Sequence, residues 1–412
     1  MRILWLSHLV PYPPKAGVLL RSYNLVRELA RTSDVDLVAF TQRNLLTPIY
    51  DDVDAGLREG EIRLAEFCRA VDFVPLPSDA WQWGRHRIAL NSLLRRRAYD
   101  ELWLRSREYR RVVTERIARG AYDVVHIDTI GLMQYADLVP PDVPVVLDHH
   151  NIESHLWARR GMNSTDALRS RFFATQADLV RKLEERVCGA VDLNVVCSDT
   201  DRERLLDIVP EAKVEIVPNG VDVEFFDAPA GAERAPRVIF VGTLDWYPNT
   251  AAVRRIAHDI WPLLRVADER IECDIIGGNP PADLVELAER DDRFHVHGFV
   301  DDIHPWLESA LCYLCPIRDG GGTKLKILDA LAMSKAIVAD PIACEGIEVT
   351  DGVDILLAEA PEAYVEHVMR LKNADVRTGI ERAARKLAVD RYSFRSIGRD
   401  FHALLEGLHR NE

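Results

Sequence analysis

The stretch Asp319-Gly320-Gly321-Gly322-Thr323-Lys324-Leu325-Lys326-Ile327-Leu328-Asp329-Ala330-Leu331 decides how this chain is read. Three glycines run straight into an amphipathic helical pattern. Glycines let the backbone turn tightly and approach a ligand closely. The helix that follows aims its unpaired N–H groups and the positive end of its dipole back at the loop, which makes an anion site. Lys324 and Lys326 are expected in the first turn, where a helix ordinarily favours acids. Cations set against the dipole imply that a ligand, such as a diphosphate, supplies the negative charge. Asp329, one to two turns in, would reach a sugar hydroxyl.

Outward from this loop, apolar strand-like runs alternate with helical periodicity along the whole chain, the pattern of an α/β protein with parallel sheets. The strands expected first are Arg2–His8, Val35–Phe40, Ala70–Val74, Val124–Ile127, Val143–Asp148, Val191–Cys197 and Val214–Val217. A segment rich in Ala, Pro, Gly and charge, 227–236, reads as a linker. The alternation then restarts with strands Val238–Val241, Cys273–Ile276, Phe294–His297, Ala310–Cys315, Ala336–Ala339 and Ile355–Leu357. The expected domains are therefore 1–226 and 237–392, two similar halves with a cleft between them. An amphipathic helix over 393–412 would pack back on the first half.

Composition narrows the function classes. The chain has 412 residues and a formal net charge of −14, which argues against a general nucleic-acid binder. Seven scattered cysteines suit a reducing compartment. Cys312 and Cys315 lie in an apolar strand with no second pair to complete a zinc site, so they read as core. His295 and His297 alternate on a strand without a companion acid at ligand spacing, and no catalytic metal is expected. There is no visible secretory signal and no run approaching a membrane span, so a cytoplasmic location is expected. One region departs from the acidic average: between Trp81 and Arg119 eleven arginines face four acids, interleaved with Trp81, Trp83, Leu93, Leu94 and Trp103. Such a stretch fits an anionic membrane face or a lipid-phosphate acceptor, and equally a solvated arginine-rich helix over core tryptophans.

Several motifs, in order, resemble those of the retaining glycosyltransferases of family four, which have the GT-B fold. Pro11-Tyr-Pro-Pro-Lys-Ala-Gly17 with Arg21 is similar to the family's first glycine loop. Asp148-His149-His150-Asn151-Ile152-Glu153 is similar to its strand-end histidine motif, and Ser198-Asp199 with Ile216-Val217-Pro218-Asn219-Gly220-Val221-Asp222 to its interdomain signature. Phe240-Val241-Gly242-Thr243-Leu244, Gly298-Phe299-Val300 and the glycine-rich helix start complete the set. The resemblance is closer still to bacterial sugar transferases tied to exopolysaccharide synthesis.

The resemblance implies two Rossmann-like α/β domains, the second binding a UDP- or GDP-linked sugar, the first offering a glycan or lipid-linked acceptor. It implies hexosyl transfer with retention and no cofactor beyond the donor, at the inner face of the cell membrane or in the cytoplasm. Gly321, Gly322, Thr323 and Leu325 would cradle the diphosphate, with Gly17 and Arg21 closing on it. Lys324 and Arg318 would stabilise the leaving group. Asp329 would hold the ribose hydroxyls, and His150 would touch the donor sugar, with His149 as its rival. Two departures stand out. The first acid of the family's paired-glutamate motif falls on Gly321, so Asp319 is the candidate stand-in. The basic pair expected after the Val-Gly strand is replaced by Thr243-Leu244-Asp245-Trp246. The alternatives are a nucleotide-sugar epimerase of the same fold and a non-catalytic nucleotide-sugar-binding partner subunit.

Overall fold

A computed structural model describes residues 1–14, 17–47, 50–80, 83–164, 166–319 and 322–410. Gly321, Gly320, Trp81 and the Lys15-Ala16 pair of the first loop lie outside the described residues. The chain divides into two compact units: Met1–Pro218 together with the chain from Ile397 on, and Asn219–Ser396.

The first unit is built on seven strands, β1 (Arg2–Ser7), β2 (Asp34–Thr41), β3 (Ala70–Pro75), β4 (Val124–Ile127), β5 (Val145–His149), β6 (Leu193–Val196) and β7 (Val214–Ile216). Every pairing is parallel, and the order is β3-β2-β1-β4-β5-β6-β7. Strands of a parallel sheet are covered on both faces and so read as continuous apolar runs. Ile3, Trp5, Val35 and Leu37 face one core, and Leu4, Leu6, Val38 and Phe40 face the other. Of its helices, α1 (Gly17–Leu29) follows β1, α2 (Gly84–Arg95) and α3 (Arg107–Arg119) precede β4, and α4 (Ala167–Val187) precedes β6.

The second unit holds β8 (Ala235–Val241), β9 (Glu272–Ile276), β10 (Phe294–Gly298), β11 (Ala310–Cys315), β12 (Ile337–Ala339) and β13 (Leu356–Leu357). They form a parallel sheet in the order β10-β9-β8-β11-β12-β13. Helix α5 (Tyr247–Arg255) follows β8, and α6 (Leu325–Ala332) follows β11. Cys312 and Cys315 are buried in β11 as core residues, and all seven cysteines are free.

Both expected boundaries shift, for visible reasons. The segment after Pro218 belongs to the second unit. Val221 donates its N–H to the Tyr392 carbonyl (2.8 Å) and is buried in the second core. The Arg385 guanidinium donates to the carbonyls of Val223 (2.9 Å) and Phe226 (2.7 Å). The expected linker 227–236 is likewise tied down: Arg234 is buried against Glu381, and the Ser334 hydroxyl donates to the Ala228 carbonyl. At the other end, α7 (Phe394–Arg410) starts in the second unit, and its Ile397, Phe401 and Leu405 join the first-unit core beside Leu25 and Leu29. At Gly398 a Cβ would stand 2.3 Å from the Glu28 Cβ, so that contact requires glycine.

Among the described residues, no helix is long and apolar enough to cross a membrane. The arginine-rich region resolves into two parts. Leu102 and Leu104 are core, whereas Trp83, Leu90, Leu93 and Leu94 are exposed on and beside α2.

Candidate functional site

In a doubly wound sheet, ligands settle at the carboxyl ends of the strands where the strand order reverses. In the second unit this crevice falls between β8 and β11. Gly242 follows β8, and Arg318 and the glycine loop follow β11. Backbone bonds knit the neighbouring loops here: Gly242 N–H donates to Ile276 O (3.0 Å), Leu244 N–H to Gly278 O (3.1 Å), and Gly277 N–H to Gly298 O (2.7 Å). Gly277 is packed so tightly that a Cβ would lie 1.8 Å from the Gly242 carbonyl oxygen.

The loop enters α6 at this edge. Gly322 has φ +70°, a left-handed conformation that favours glycine. Lys324 is the N-cap of α6, not part of its first turn as the sequence suggested, and its side chain does not cap the helix. Its ammonium donates instead to the Gly322 carbonyl (2.9 Å). No described side chain therefore caps the N–H groups of Leu325 and Lys326, whereas Ile327 N–H already donates to the Lys324 carbonyl (2.8 Å). Thr323 turns a buried hydroxyl inward that has no hydrogen-bond partner among the described residues. Asp329 sits on the half-buried face of α6, no described donor reaches its carboxylate, and burial pushes its pKa up to about 7.

The cations nominated from sequence are occupied by the protein itself. Arg318 donates from Nε to Asp340 (2.7 Å) and also reaches the Glu359 carbonyl. Asp340 additionally pairs with Arg255 (3.3 Å). Asp319 is exposed. Two further residues stand at the same edge. Lys326 reaches back over the Phe240 ring to Gly242, and Phe299, which follows β10, is 79% exposed with its Cβ 3.9 Å from where a Cβ on Gly278 would lie.

In the first unit the crevice lies between β1 and β4, and three polar residues follow the strand ends there. His150 Nε2 meets Asp128 Oδ1 at 2.8 Å, and His8 Nδ1 lies 3.7 Å from Asp128 Oδ2. Ser7 and Ser22 hydroxyls donate to the same oxygen (2.9 and 3.0 Å). Burial opposes the charge on Asp128, but His150 and His8 outweigh it and hold the carboxyl well below its usual range. Burial likewise works against an imidazolium at His150, yet Asp128 wins and raises its pKa. The ligand atoms of His8, Asp128 and His150 fall within 4.8 Å of one another, a spacing that a metal ion would accept. His149, the rival, is a core residue: its Nε2 meets Asn194 Oδ1 at 3.1 Å, and burial lowers its pKa.

Gly17 opens α1 and is exposed. Arg21, one turn on, is 2% exposed and committed to structure. It is bonded to Asp148 through Nη2 (3.1 Å) and Nε (3.3 Å), and to the carbonyls of Val217 (2.8 Å) and Pro218 (3.0 Å) through Nη1. It is therefore withdrawn as a diphosphate ligand: its donors fix the ends of β5 and β7.

A family model described as Glycosyltransferase Family 4 matches residues 16–225, more than half of the chain, and one described as Glycosyl transferases group 1 matches 235–373. The chain belongs to glycosyltransferase family 4. Its two parallel-sheet units are those of the GT-B fold, and solved structures agree. Sucrose-phosphate synthase from Thermosynechococcus elongatus superposes with a TM-score of 0.66 at 14% identity, with both chains covered in full. HepE from Anabaena, in complex with UDP, gives 0.63 at 13% identity over 99% of this chain and 100% of its own. A glycosyltransferase from Rickettsia africae gives 0.61 at 12% identity over 100% and 99%. At such identities the likeness concerns the fold. No curated protein matches the chain. Within this family-4 chain, the three-dimensional structure adds His8 and Asp128 to the sequence reading and gives Lys326 and Phe299 their places.

Proposed function

We propose that this glycosyltransferase moves a hexosyl group, with retention, from a nucleoside diphosphate sugar to a growing glycan or lipid-linked acceptor of the cell surface. The observation that carries the reading is the reversal point of the second sheet. A helix start with no side-chain cap and a buried threonine hydroxyl with no partner, both among the described residues, meet a left-handed glycine at that edge, an arrangement suited to a diphosphate. Backbone N–H groups of 323–325 take the phosphate oxygens, and Asp329 accepts from the ribose hydroxyls. Charge growing on the leaving diphosphate is stabilised by these fixed dipoles. HepE, whose solved complexes hold UDP and UDP-glucose, supports the choice of a nucleoside diphosphate sugar as donor.

In the first unit, His150 is held by Asp128, which favours its protonated form, and the imidazole suits a sugar oxygen. The exposed Leu90, Leu93 and Leu94 on α2, bordered by Arg87, Arg95 and Arg96, form an apolar face with a cationic rim. Such a face suits an anionic membrane leaflet, where a lipid-linked acceptor resides.

A thermal-shift panel of UDP-, GDP-, TDP- and ADP-sugars tests the donor class, because a ligand that binds only the folded state raises the melting temperature. One of the four is expected to stabilise the protein by several degrees. With that donor, nucleoside diphosphate should be released only when acceptor is present. Stabilisation by none of the four refutes the donor assignment, and interconversion of the donor without acceptor indicates an epimerase.

A further inference from the structure

The sequence lacks a basic residue after Gly242, and the cations expected to compensate are held by the protein's own acceptors. Lys326 is placed differently. Its ammonium sits against the Gly242 backbone, where a Cβ would stand 2.6 Å from Nζ. It donates to Asn249 Oδ1 (2.6 Å) and lies 4.7 Å from the centre of the Phe240 ring. Asn249 is itself anchored, its Nδ2 donating to the Thr243 carbonyl (2.8 Å), so the acceptor that steers Lys326 is fixed.

An ammonium has three N–H donors. The described residues give this one a single hydrogen-bond acceptor, and none of their carboxylates lies within ion-pair distance. A recessed cation with unused donors is costly to the free protein, and an anion beside Gly242 would complete its coordination. The Thr323 hydroxyl three residues earlier, which has no partner among the described residues, belongs to the same edge.

We infer that Lys326 is the cation that binds the donor's diphosphate, reaching from α6 to the place beside Gly242 that the missing basic pair would serve. This inference rests on the second unit being the nucleotide-sugar site. It also accounts for Gly242, since any side chain there would displace the ammonium. The groups acting on Lys326 are Cys315 of β11 and, from α6 and its entry, Asp329 and Lys324. Burial outweighs the support of Cys315 and Asp329 and brings the Lys326 pKa down to about 8. The free protein thus loses this charge just above neutral pH, and bound diphosphate restores it.

The test is calorimetric titration of UDP, GDP, ADP and TDP into the full-length protein and its Lys326→Met variant at pH 7 and pH 9. At pH 7 the variant should bind the preferred nucleotide about 10- to 100-fold more weakly, the scale of one charge-assisted hydrogen bond. From pH 7 to 9 the wild type should lose about five- to tenfold in affinity, and the variant far less, because only the wild type titrates through about pH 8. A variant that binds within threefold of wild type overturns the inference while leaving the donor site standing. So does a Lys326 Nζ resonance that, followed by NMR on lysine-labelled wild type, does not move when the preferred nucleotide is added, a result that needs no variant to fold. A wild-type protein that binds none of the four overturns the donor site and the inference together.

Discussion

Replacing Arg21 with Met should destabilise the first unit severely without touching nucleotide binding. The guanidinium and the Asp148 carboxylate are 2% and 0% exposed, so the pair is buried on both sides. Removing the cation leaves Asp148, among the described residues, with the rings of His126, at 3.6 Å and outside hydrogen-bond range, and His150 nearby, and it frees the carbonyls of Val217 and Pro218. Breaking one side of a buried ion pair costs about 3–5 kcal/mol. In a unit of this size each kcal/mol moves the melting temperature by about 2–4 °C, so a fall on the order of 10 °C is expected. The pH dependence has a definite sign. In the wild type, Arg21 overcomes burial and holds the Asp148 pKa far below its unfolded value, so the pair's contribution is present above about pH 4 and lost as pH falls through the depressed value. In the variant, unopposed burial raises that pKa, and protonation relieves the penalty. The gap between the two proteins should be widest at neutral pH and close towards acid. Replacing the whole pair, Arg21→Met with Asp148→Leu, should recover most of the loss, since apolar isosteres of buried pairs are often neutral. Circular-dichroism melts from pH 4 to 8 read all of this. A loss under about 2 °C, or weaker nucleotide binding by the folded variant, would refute the structural role of Arg21.

Three further outcomes follow from the same geometry. Asp128→Asn removes the charge that overcomes the burial of His150, so the His150 pKa, followed by NMR on histidine-labelled protein, should drop. An unchanged titration would show that Asp128 does not control this imidazole. Phe299→Ala should weaken nucleoside diphosphate binding by about 1–3 kcal/mol if the exposed ring stacks on the base, and unchanged calorimetric affinity would remove it from the site. Leu90→Glu with Leu94→Glu should abolish sedimentation with vesicles containing anionic lipid while leaving the melting temperature within about 2 °C, because both side chains are exposed. Persistent sedimentation would place the membrane contact elsewhere.

The strand alternation was legible from sequence because parallel strands are buried on both faces and must be apolar along their length. Val35–Phe40 and Ala310–Cys315 show it plainly, the first against β2 at Asp34–Thr41 and the second matching β11 residue for residue. The glycine loop before α6 was legible because backbone conformation leaves a compositional trace. The unit boundaries were not, because 227–236 looks like a linker in composition and 219–226 reads as the end of the first half, while Arg385 and Glu381, some 150 residues away, pin both down. Arg21 looked like a phosphate ligand because a buried ion pair and an anion site draw on the same residue type. Only the fold shows Asp148 beside it. Lys326 read from sequence only as a first-turn cation: its partners, Gly242 and Asn249, follow another strand and lie on another helix, and no local spacing records that approach.

The proposed donor site places a diphosphate at the reversal point of the second sheet, against the start of α6. A crystal structure of the protein with its preferred nucleoside diphosphate tests this most directly. Phosphate oxygens within about 3 Å of the backbone nitrogens of Thr323, Lys324 and Leu325 are the predicted result. A nucleotide bound with its phosphates away from that helix start would contradict it.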